Sequence, residues 1–175
     1  MKELRYGRNI FLLPKNNSSE AAVVTTNGMC RANGRAVMGA GIAKYVRDNM
    51  NGSDLVLGVM LKLNGNHAYL LGRFQDPNRL DDNLDPWVSV ITMPTKHDWR
   101  EPSTINLIAR SAHELIEIAD KNHLSKIYLP APGCNHGGLD YAAQVRPVIA
   151  KILDPRFVVC RGSGVRMRLF RVLAV

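Results

Sequence analysis

The chain has 175 residues, of which 46% are hydrophobic and 22% charged, a composition that excludes a disordered protein and fits one globular domain. Its 23 Lys and Arg against 15 Asp and Glu give a net charge of +8, which indicates either polyanionic partners or simply a basic surface. Three cysteines without a C-x-x-C pair argue against a disulfide framework or a zinc site and favour a cytoplasmic protein. No apolar run approaches the roughly 20 residues of a membrane span.

The first half of the chain predicts strands and one helix. The β-branched run Ala21–Thr26 is typical of a buried strand, and a glycine-rich stretch then leads to a predicted helix at Ile42–Met50. Leu55–Leu63 and Ala68–Phe74 are expected to be two strands joined by a hairpin turn. Another strand is expected at Trp87–Met93, ended by Pro94.

The second half predicts two helices between strands. Apolar residues from Ile105 to Ala119 recur at three- and four-residue steps, which indicates an amphipathic helix with Ser103 as its N-cap. The other expected elements are a strand at Lys126–Pro130, a helix at Val145–Leu153 and strands at Phe157–Cys160 and Val165–Leu173. This order predicts an α/β sandwich with a mixed sheet, in which ligands bind at the carboxyl ends of the strands.

Two glycine-rich loops follow predicted strands. In Asn27–Ala43 and in Leu129–Tyr141, glycines allow the backbone to approach a ligand closely, and free N–H groups before a helix bind phosphate. The alternative is a pair of tight turns needed only for packing. His136 in the second loop is either structural or catalytic, whereas Cys134 has no evident base and is not expected to be a nucleophile.

A lysine-containing segment, Pro94–Arg100, follows a third strand. A partly desolvated Lys96 could act as base or nucleophile, and the alternative is a solvated loop lysine. Trp99 and Arg100 either contact nucleic acid or close the loop.

Together these segments resemble the macrodomain family, which binds ADP-ribose. Met38–Ala43 looks like the family's M-G-x-G-I-A loop, Arg8–Phe11 like its opening G-D-I/L-F, and Leu129–Tyr141 like its second phosphate loop. The resemblance runs from about Asn9 to Leu153. It is strongest to the branch of the terminal ADP-ribose glycohydrolase and the antitoxins that remove ADP-ribose from thymidine in DNA, because Pro94–Arg100 matches the antitoxins' P-T-K-x-x-W-R.

The resemblance implies one macrodomain-like domain over residues 1–175, a three-layer α/β/α sandwich with a mixed central sheet. It implies an ADP-ribosyl glycohydrolase that acts on modified DNA or on an acidic protein side chain, with Lys96 as catalytic residue and His136 as an auxiliary. Asn27 is expected to contact the distal ribose. The implied ligand-binding residues are Asn9, Ile10, Asn27, Met38, Gly39, Ala40, Gly41, Ile42, Ala43, Thr95, Pro132, Gly133, Cys134, Asn135, Gly137, Gly138 and Leu139.

Three features depart from the family pattern. In the second loop, Asn135–His136 stands where a glycine and a variable residue are usual. Asn9 stands where the family has an adenine-contacting Asp, which removes a charge from that contact. Gly137 stands where the terminal glycohydrolase has an acidic partner, as it does in the antitoxins, so antitoxin-like chemistry is favoured.

The expected partners are ADP-ribose or an ADP-ribosylated substrate, and nucleic acid as a further candidate. The protein is expected to be a monomer that uses no cofactor and no metal. The alternatives are a phosphatase acting on ADP-ribose 1″-phosphate, a non-catalytic ADP-ribose reader and a plain nucleic-acid-binding domain. The positive charge concentrates near the end of the chain, and we expect this cluster to hold the polymer that carries ADP-ribose. Its members are Arg156, Arg161, Arg166, Arg168 and Arg171.

Overall fold

The computed structural model describes residues 1–7, 9–15, 18–80 and 85–162. Its strands are β1 (Lys2–Arg5), β2 (Glu20–Asn27), β3 (Leu70–Gln75), β4 (Trp87–Lys96), β5 (Lys126–Pro130) and β6 (Phe157–Arg161). Its helices are α1 (Gly41–Asn49), α2 (Ser53–Asn64), α3 (Ile105–Lys121) and α4 (Arg146–Ile152). A 3₁₀ turn at Ile10–Leu12 and a π-helical turn at Tyr141–Val145 complete the elements. The strand expected at Val165–Leu173 and the motif residue Arg8 lie outside the described residues.

The six strands form one sheet in the order β1-β6-β5-β2-β4-β3. Neighbouring strands pair in parallel except β3, which runs antiparallel to β4. The central strands β5, β2 and β4 therefore end at the same edge of the sheet, where an α/β fold holds its ligand.

Both faces of the sheet are covered, as a mostly parallel sheet requires. Successive residues of β2 point to opposite faces and enter two separate cores. Ala21 and Val23 pack in the core formed with α3 and α4, whereas Ala22 and Val24 pack in the core formed with α1 and α2. This arrangement confirms the predicted three-layer α/β/α sandwich with a mixed sheet.

The prediction of a strand at Leu55–Leu63 is wrong, because these residues lie in α2. Apolar residues at every second position suggested a strand. In the helix, Leu57 and Leu61 lie one turn apart and are buried, while Leu55 and Leu63 on the other side are exposed. The expected hairpin is therefore a connection from α2 to β3, and the second predicted strand is present as β3.

Two element boundaries and one strand differ from the prediction for local reasons. The hydroxyl of Thr104, not Ser103, caps α3 by accepting from the Leu107 amide. Strand β4 continues through Pro94 to Lys96. The last β4 residue that pairs with β3 is Ile91, so β3 has no hydrogen bond at Pro94 that the missing N–H would break. Strand β1 was not predicted because it is polar and has no apolar alternation.

Close contact between α2 and the first glycine-rich loop yields a stability prediction. A Cβ atom at Gly58 would lie 2.0 Å from the carbonyl oxygen of Gly34, so only glycine fits there. We expect Gly58→Ala to lower the free energy of unfolding by about 1–3 kcal/mol in chemical denaturation, although alanine is the better helix former. The exposed neighbour Val59 is the control, and Val59→Ala should change the free energy of unfolding by less than about 0.5 kcal/mol. A Gly58→Ala protein as stable as wild type would contradict the contact.

Candidate functional site

A cleft of about 900 Å³ opens at the edge where β2, β4 and β5 end. Three segments form most of its wall: the start of α1, the end of β4 with the loop after it, and the loop after β5. Of the residues predicted as catalytic or ligand-binding, those that line it are Asn27, Gly39, Ala40, Gly41, Ile42, Ala43, Thr95, Lys96, Gly133, Cys134, Asn135, His136, Gly137 and Gly138. The three motifs thus meet at one cleft.

Asn27, the last residue of β2, fixes the loop that leads to α1. Its Nδ2 donates to the carbonyl of Val37 at 2.9 Å, and its Oδ1 accepts from the amide of Met29 at 3.0 Å. An isolated antiparallel bridge between Cys30 and Ala36 closes the same loop. Asn27 therefore shapes the first glycine-rich loop as well as lining the cleft.

The N-terminus of α1 presents backbone amides to the cleft. The N-cap Ala40 has no side chain that could accept from the first-turn amides, and the first turn contains no acidic residue. Gly39, Ala40 and Gly41 are exposed, and Gly41 has a positive φ of 53° that glycine adopts readily. Uncapped amides and the helix dipole together favour an anion at this position.

Lys96 reaches the cleft because β4 has one more residue than β2 at this edge. Thr26 pairs with Pro94 but Asn27 pairs with Lys96, so Thr95 is the extra residue of a bulge. The ammonium Nζ of Lys96 donates to the carbonyl oxygen of His136 at 2.7 Å. This contact joins the end of β4 to the loop after β5.

The loop after β5 is packed so closely that it depends on glycine. Gly133 has a φ of 72°, and its carbonyl accepts from the amide of Leu139 at 3.0 Å. A Cβ at Gly137 would lie 2.2 Å from the Ser103 hydroxyl and 2.3 Å from the Gly133 carbonyl oxygen. The Gly137 carbonyl in turn accepts from the Ser103 amide at 2.9 Å. This loop therefore has no room for an acidic side chain at position 137.

His136 and Cys134 differ in what they can do chemically. The ring of His136 extends toward the start of α1, where its Cδ2 would lie 3.8 Å from a Cβ placed on Gly41. Burial raises the pKa of the Cys134 thiol to about 11, with a smaller contribution from the negative charge of Asp140. The thiol is therefore protonated near pH 7 and is a poor nucleophile.

The loop from Trp99 to Ser103 forms a wall of the cleft. The sequence analysis singled out Trp99 and Arg100, for nucleic-acid contact or loop closure, but it did not predict that this loop lines the cleft. Trp99 is 56% exposed, and the guanidinium of Arg100 lies 5.8 Å from the centre of its ring. Arg100 also pairs with Asp98 at 2.5 Å and lowers the pKa of that carboxyl to about 2. Trp99 and Arg100 belong to the segment that resembles the antitoxin motif, whereas the only sequence signal for Glu101–Ser103 as cleft residues was their position after the strand that carries Lys96. Other lining residues outside the predicted set are Thr25, Thr26, Val37, Pro130 and Ala131.

Five predicted ligand-binding residues do not line the cleft. Asn9 caps the 3₁₀ turn, its Oδ1 accepting from the Phe11 amide at 3.1 Å, and Ile10 is buried in the core beneath α1. Met38 is fully buried in the same core. Pro132 is buried and Leu139 packs against the opposite core. Their role in ligand binding stays a prediction.

The arginine cluster expected near the chain's end is partly engaged with the protein itself. Arg156 pairs with Asp154 at 2.6 Å and with Asp120 at 2.7 Å, and Arg161 lies 4.5 Å from the centre of the Tyr141 ring. The remaining members, Arg166, Arg168 and Arg171, lie outside the described residues. Two of the five side chains are therefore taken up by contacts within the fold.

Two features are absent from the described residues. No helix there is both long and apolar enough to cross a membrane. In the same part of the chain, no three His, Cys, Asp or Glu side chains are grouped so that they could hold a metal ion.

The sequence matches no family model and no curated protein, whereas the structure resembles several solved ones. One is Thermosipho africanus DarTG in complex with ADP-ribose, with a TM-score of 0.66 and 22% identity over 85% of this chain. This chain covers 39% of that chain's length.

This chain covers almost the whole length of two further solved structures. The macrodomain of Mycobacterium tuberculosis DarG has a TM-score of 0.63 and 22% identity, over 90% of this chain and 95% of its own. The macrodomain of Thermus aquaticus DarG has a TM-score of 0.59 and 24% identity, over 92% of this chain and 96% of its own. At these identities the likeness shows the fold, and this chain has the fold of a macrodomain.

Proposed function

We propose that the chain binds ADP-ribose in the cleft and hydrolyses the bond that joins it to a modified macromolecule. The observation that carries the proposal is the convergence of two glycine-rich loops and Lys96 on one cleft of about 900 Å³. That volume lies within the usual range for a nucleotide-sized ligand. The carrier is modified DNA, at thymidine, or a protein with a modified acidic side chain.

The diphosphate is held by backbone amides in this proposal. In support, the exposed residues Gly39–Gly41 precede an uncapped helix whose first turn has no acidic residue. The loop at Gly133–Gly138 borders the same cleft from the other side. Backbone donors at a helix start bind phosphate without using the chain's excess Lys and Arg.

Lys96 acts at the anomeric carbon of the distal ribose. In one route, its amine bonds to that carbon as the bond to the ring oxygen breaks, the attached group is then expelled as an iminium forms, and water hydrolyses the iminium to release ADP-ribose and the free amine. In the other, its ammonium gives a proton to the attached group as that group departs, and water adds to the anomeric carbon. In support, Lys96 borders the cleft and pairs with Asn27, and its Nζ lies 2.7 Å from the His136 carbonyl oxygen in the second loop. In this proposal Asn27 orients the ribose. His136 has an auxiliary role.

The solved structures add support for this choice of ligand. The Thermosipho africanus DarTG structure, which shares the fold, contains ADP-ribose. The DarG macrodomains share the fold over at least 90% of this chain. The resemblance of Pro94–Arg100 to the antitoxin segment points to the same branch.

The first test is Lys96→Ala, assayed on ADP-ribosylated single-stranded DNA and on Glu-modified protein. We expect ADP-ribose release to fall by roughly 10²–10⁴-fold, because the group acting at the anomeric carbon is lost. Lys44, an exposed lysine of α1 paired with Asp48, is the matched control, and Lys44→Ala should keep the wild-type rate. Release at the wild-type rate by Lys96→Ala would remove Lys96 from the mechanism.

Further assays separate the alternative activities. A phosphatase would release phosphate from ADP-ribose 1″-phosphate without releasing ADP-ribose from either macromolecule. A reader would bind ADP-ribose in calorimetry and yield no product from any substrate. A plain nucleic-acid-binding domain would show salt-dependent DNA binding and no thermal shift with ADP-ribose.

The second test introduces at position 137 the acidic residue that the terminal glycohydrolase has there. We expect Gly137→Asp to lower both the melting temperature and ADP-ribose release, because its side chain would collide with Ser103 and Gly133. Gly162 is the control: it is exposed and a Cβ there would meet open space, so Gly162→Asp should melt close to wild type. A stable and more active Gly137→Asp protein would show that this site uses a carboxylate.

The third test concerns the thiol in the second loop. Since Cys134 has a pKa of about 11, we expect Cys134→Ser to release ADP-ribose within about twofold of the wild-type rate at pH 7. A loss comparable to that of Lys96→Ala would instead indicate a thiol nucleophile.

A further inference from the structure

The turn between α2 and β3 contacts the backbone of Lys96 from outside the cleft. In this turn, residues 65–68, the side-chain Nδ2 of Asn66 donates to the carbonyl oxygen of Lys96 at 2.9 Å. A carbonyl can only accept a hydrogen bond, so the group that faces it is the NH₂ end of the amide. Asn66 is not among the residues that line the cleft, so it contacts the lysine only through the backbone.

Helix α3 holds this turn from behind. The guanidinium of Arg110 donates to the backbone carbonyl of Asn66. Glu114, one helical turn later, accepts from the amide of Ala68 at 2.7 Å and lies 2.6 Å from the ring Nδ1 of His67. Arg110 and Glu114 also pair with each other at 3.3 Å. The backbone of Asn66 is therefore fixed to a long helix that packs on the sheet.

The side chain of Asn66 also fills the space between the ends of β2 and β4. A Cβ at Gly28 would lie only 2.8 Å from its Cγ, and the Gly28 amide donates to the carbonyl of His97 at 3.0 Å. The Oδ1 of Asn66 is buried and has no hydrogen-bond partner among the described residues. An unsatisfied buried acceptor costs free energy. The hydrogen bond from the Nδ2 to the Lys96 carbonyl offsets that cost and so keeps the amide in this orientation.

We propose that Asn66 is a positioning residue for Lys96. It holds the Lys96 carbonyl and so fixes the direction in which the lysine side chain leaves the bulge and enters the cleft. The inference rests on the proposed catalytic role of Lys96, and it adds a residue that neither motif matching nor the cleft lining identifies. A residue that serves only the fold would affect melting without selectively affecting the chemical step.

The test compares Asn66→Ala with Asn64→Ala, an exposed asparagine two residues earlier at the end of α2. We expect Asn66→Ala to lower kcat for ADP-ribose release by about 10–100-fold, because misplacing a reacting group by about 1 Å has effects of that order. The Kd for free ADP-ribose, measured by calorimetry, should stay within about twofold, since Asn66 does not line the cleft. Asn64→Ala should match wild type in both.

A double substitution tests whether Asn66 acts through Lys96. Lys96→Ala with Asn66→Ala should be no slower than Lys96→Ala alone, because a residue that only positions the lysine has nothing left to position. An independent, multiplicative loss would overturn the proposal, and so would a folded Asn66→Ala protein with wild-type kcat. Wild-type turnover by Lys96→Ala alone would instead overturn the proposed function.

Two further variants keep the proposal testable if Asn66→Ala does not fold. Asn66→Asp preserves the shape but has no N–H to donate, so we expect the same selective loss of kcat. Arg110→Met removes a half-exposed support of the turn, and a smaller loss of kcat with unchanged Kd is expected. Wild-type kcat in both variants would overturn the proposal.

Discussion

The parallel pairing of β2 with β4, with one extra residue in β4, is the constraint on which the whole cleft depends. Side chains alternate along a strand, so a shift of one residue reverses the face to which each points. Because Thr95 is accommodated in the bulge, Lys96 pairs with Asn27. The two glycine-rich loops then need only flank this pair, and the contacts from Asn27 to Val37 and from Lys96 to His136 connect them to it.

Much of the fold could be predicted from the sequence, because its strongest signals are local. The β-branched run of β2 and the apolar face of α3 produced correct elements. Helix α2 could not be identified in this way, because its apolar residues lie on all sides of the helix and leave no single apolar face. They also recur at every second position, which is typical of a strand. What the structure adds is tertiary: α2 buries Leu57 and Leu61 in the core, and Gly58 lies close to the backbone of Gly34, a residue distant in the sequence.

The candidate site was predictable where it depends on backbone and on motif order. Glycine-rich loops after strands, and a lysine after another strand, were enough to suggest one cleft. Trp99 and Arg100 could be singled out from the sequence, but their place in the wall from Trp99 to Ser103 could not be predicted. The same holds for the contact of Asn66 with Lys96, because both depend on how separate segments meet at the sheet edge. Neither sequence periodicity nor composition encodes such contacts. The charge of +8 was a weaker guide, since Arg156 and Arg161 are engaged within the fold.

The hydrogen bond from Lys96 to the His136 carbonyl joins the end of β4 to the loop after β5 through a single side chain. A ligand that takes the Lys96 Nζ as its own partner has to break this contact, so part of its binding free energy goes into replacing it. A ligand that contacts both loops has more binding free energy available for this exchange than a fragment that contacts only one. In the proposed function, the contact therefore favours ligands that span both loops over fragments of them.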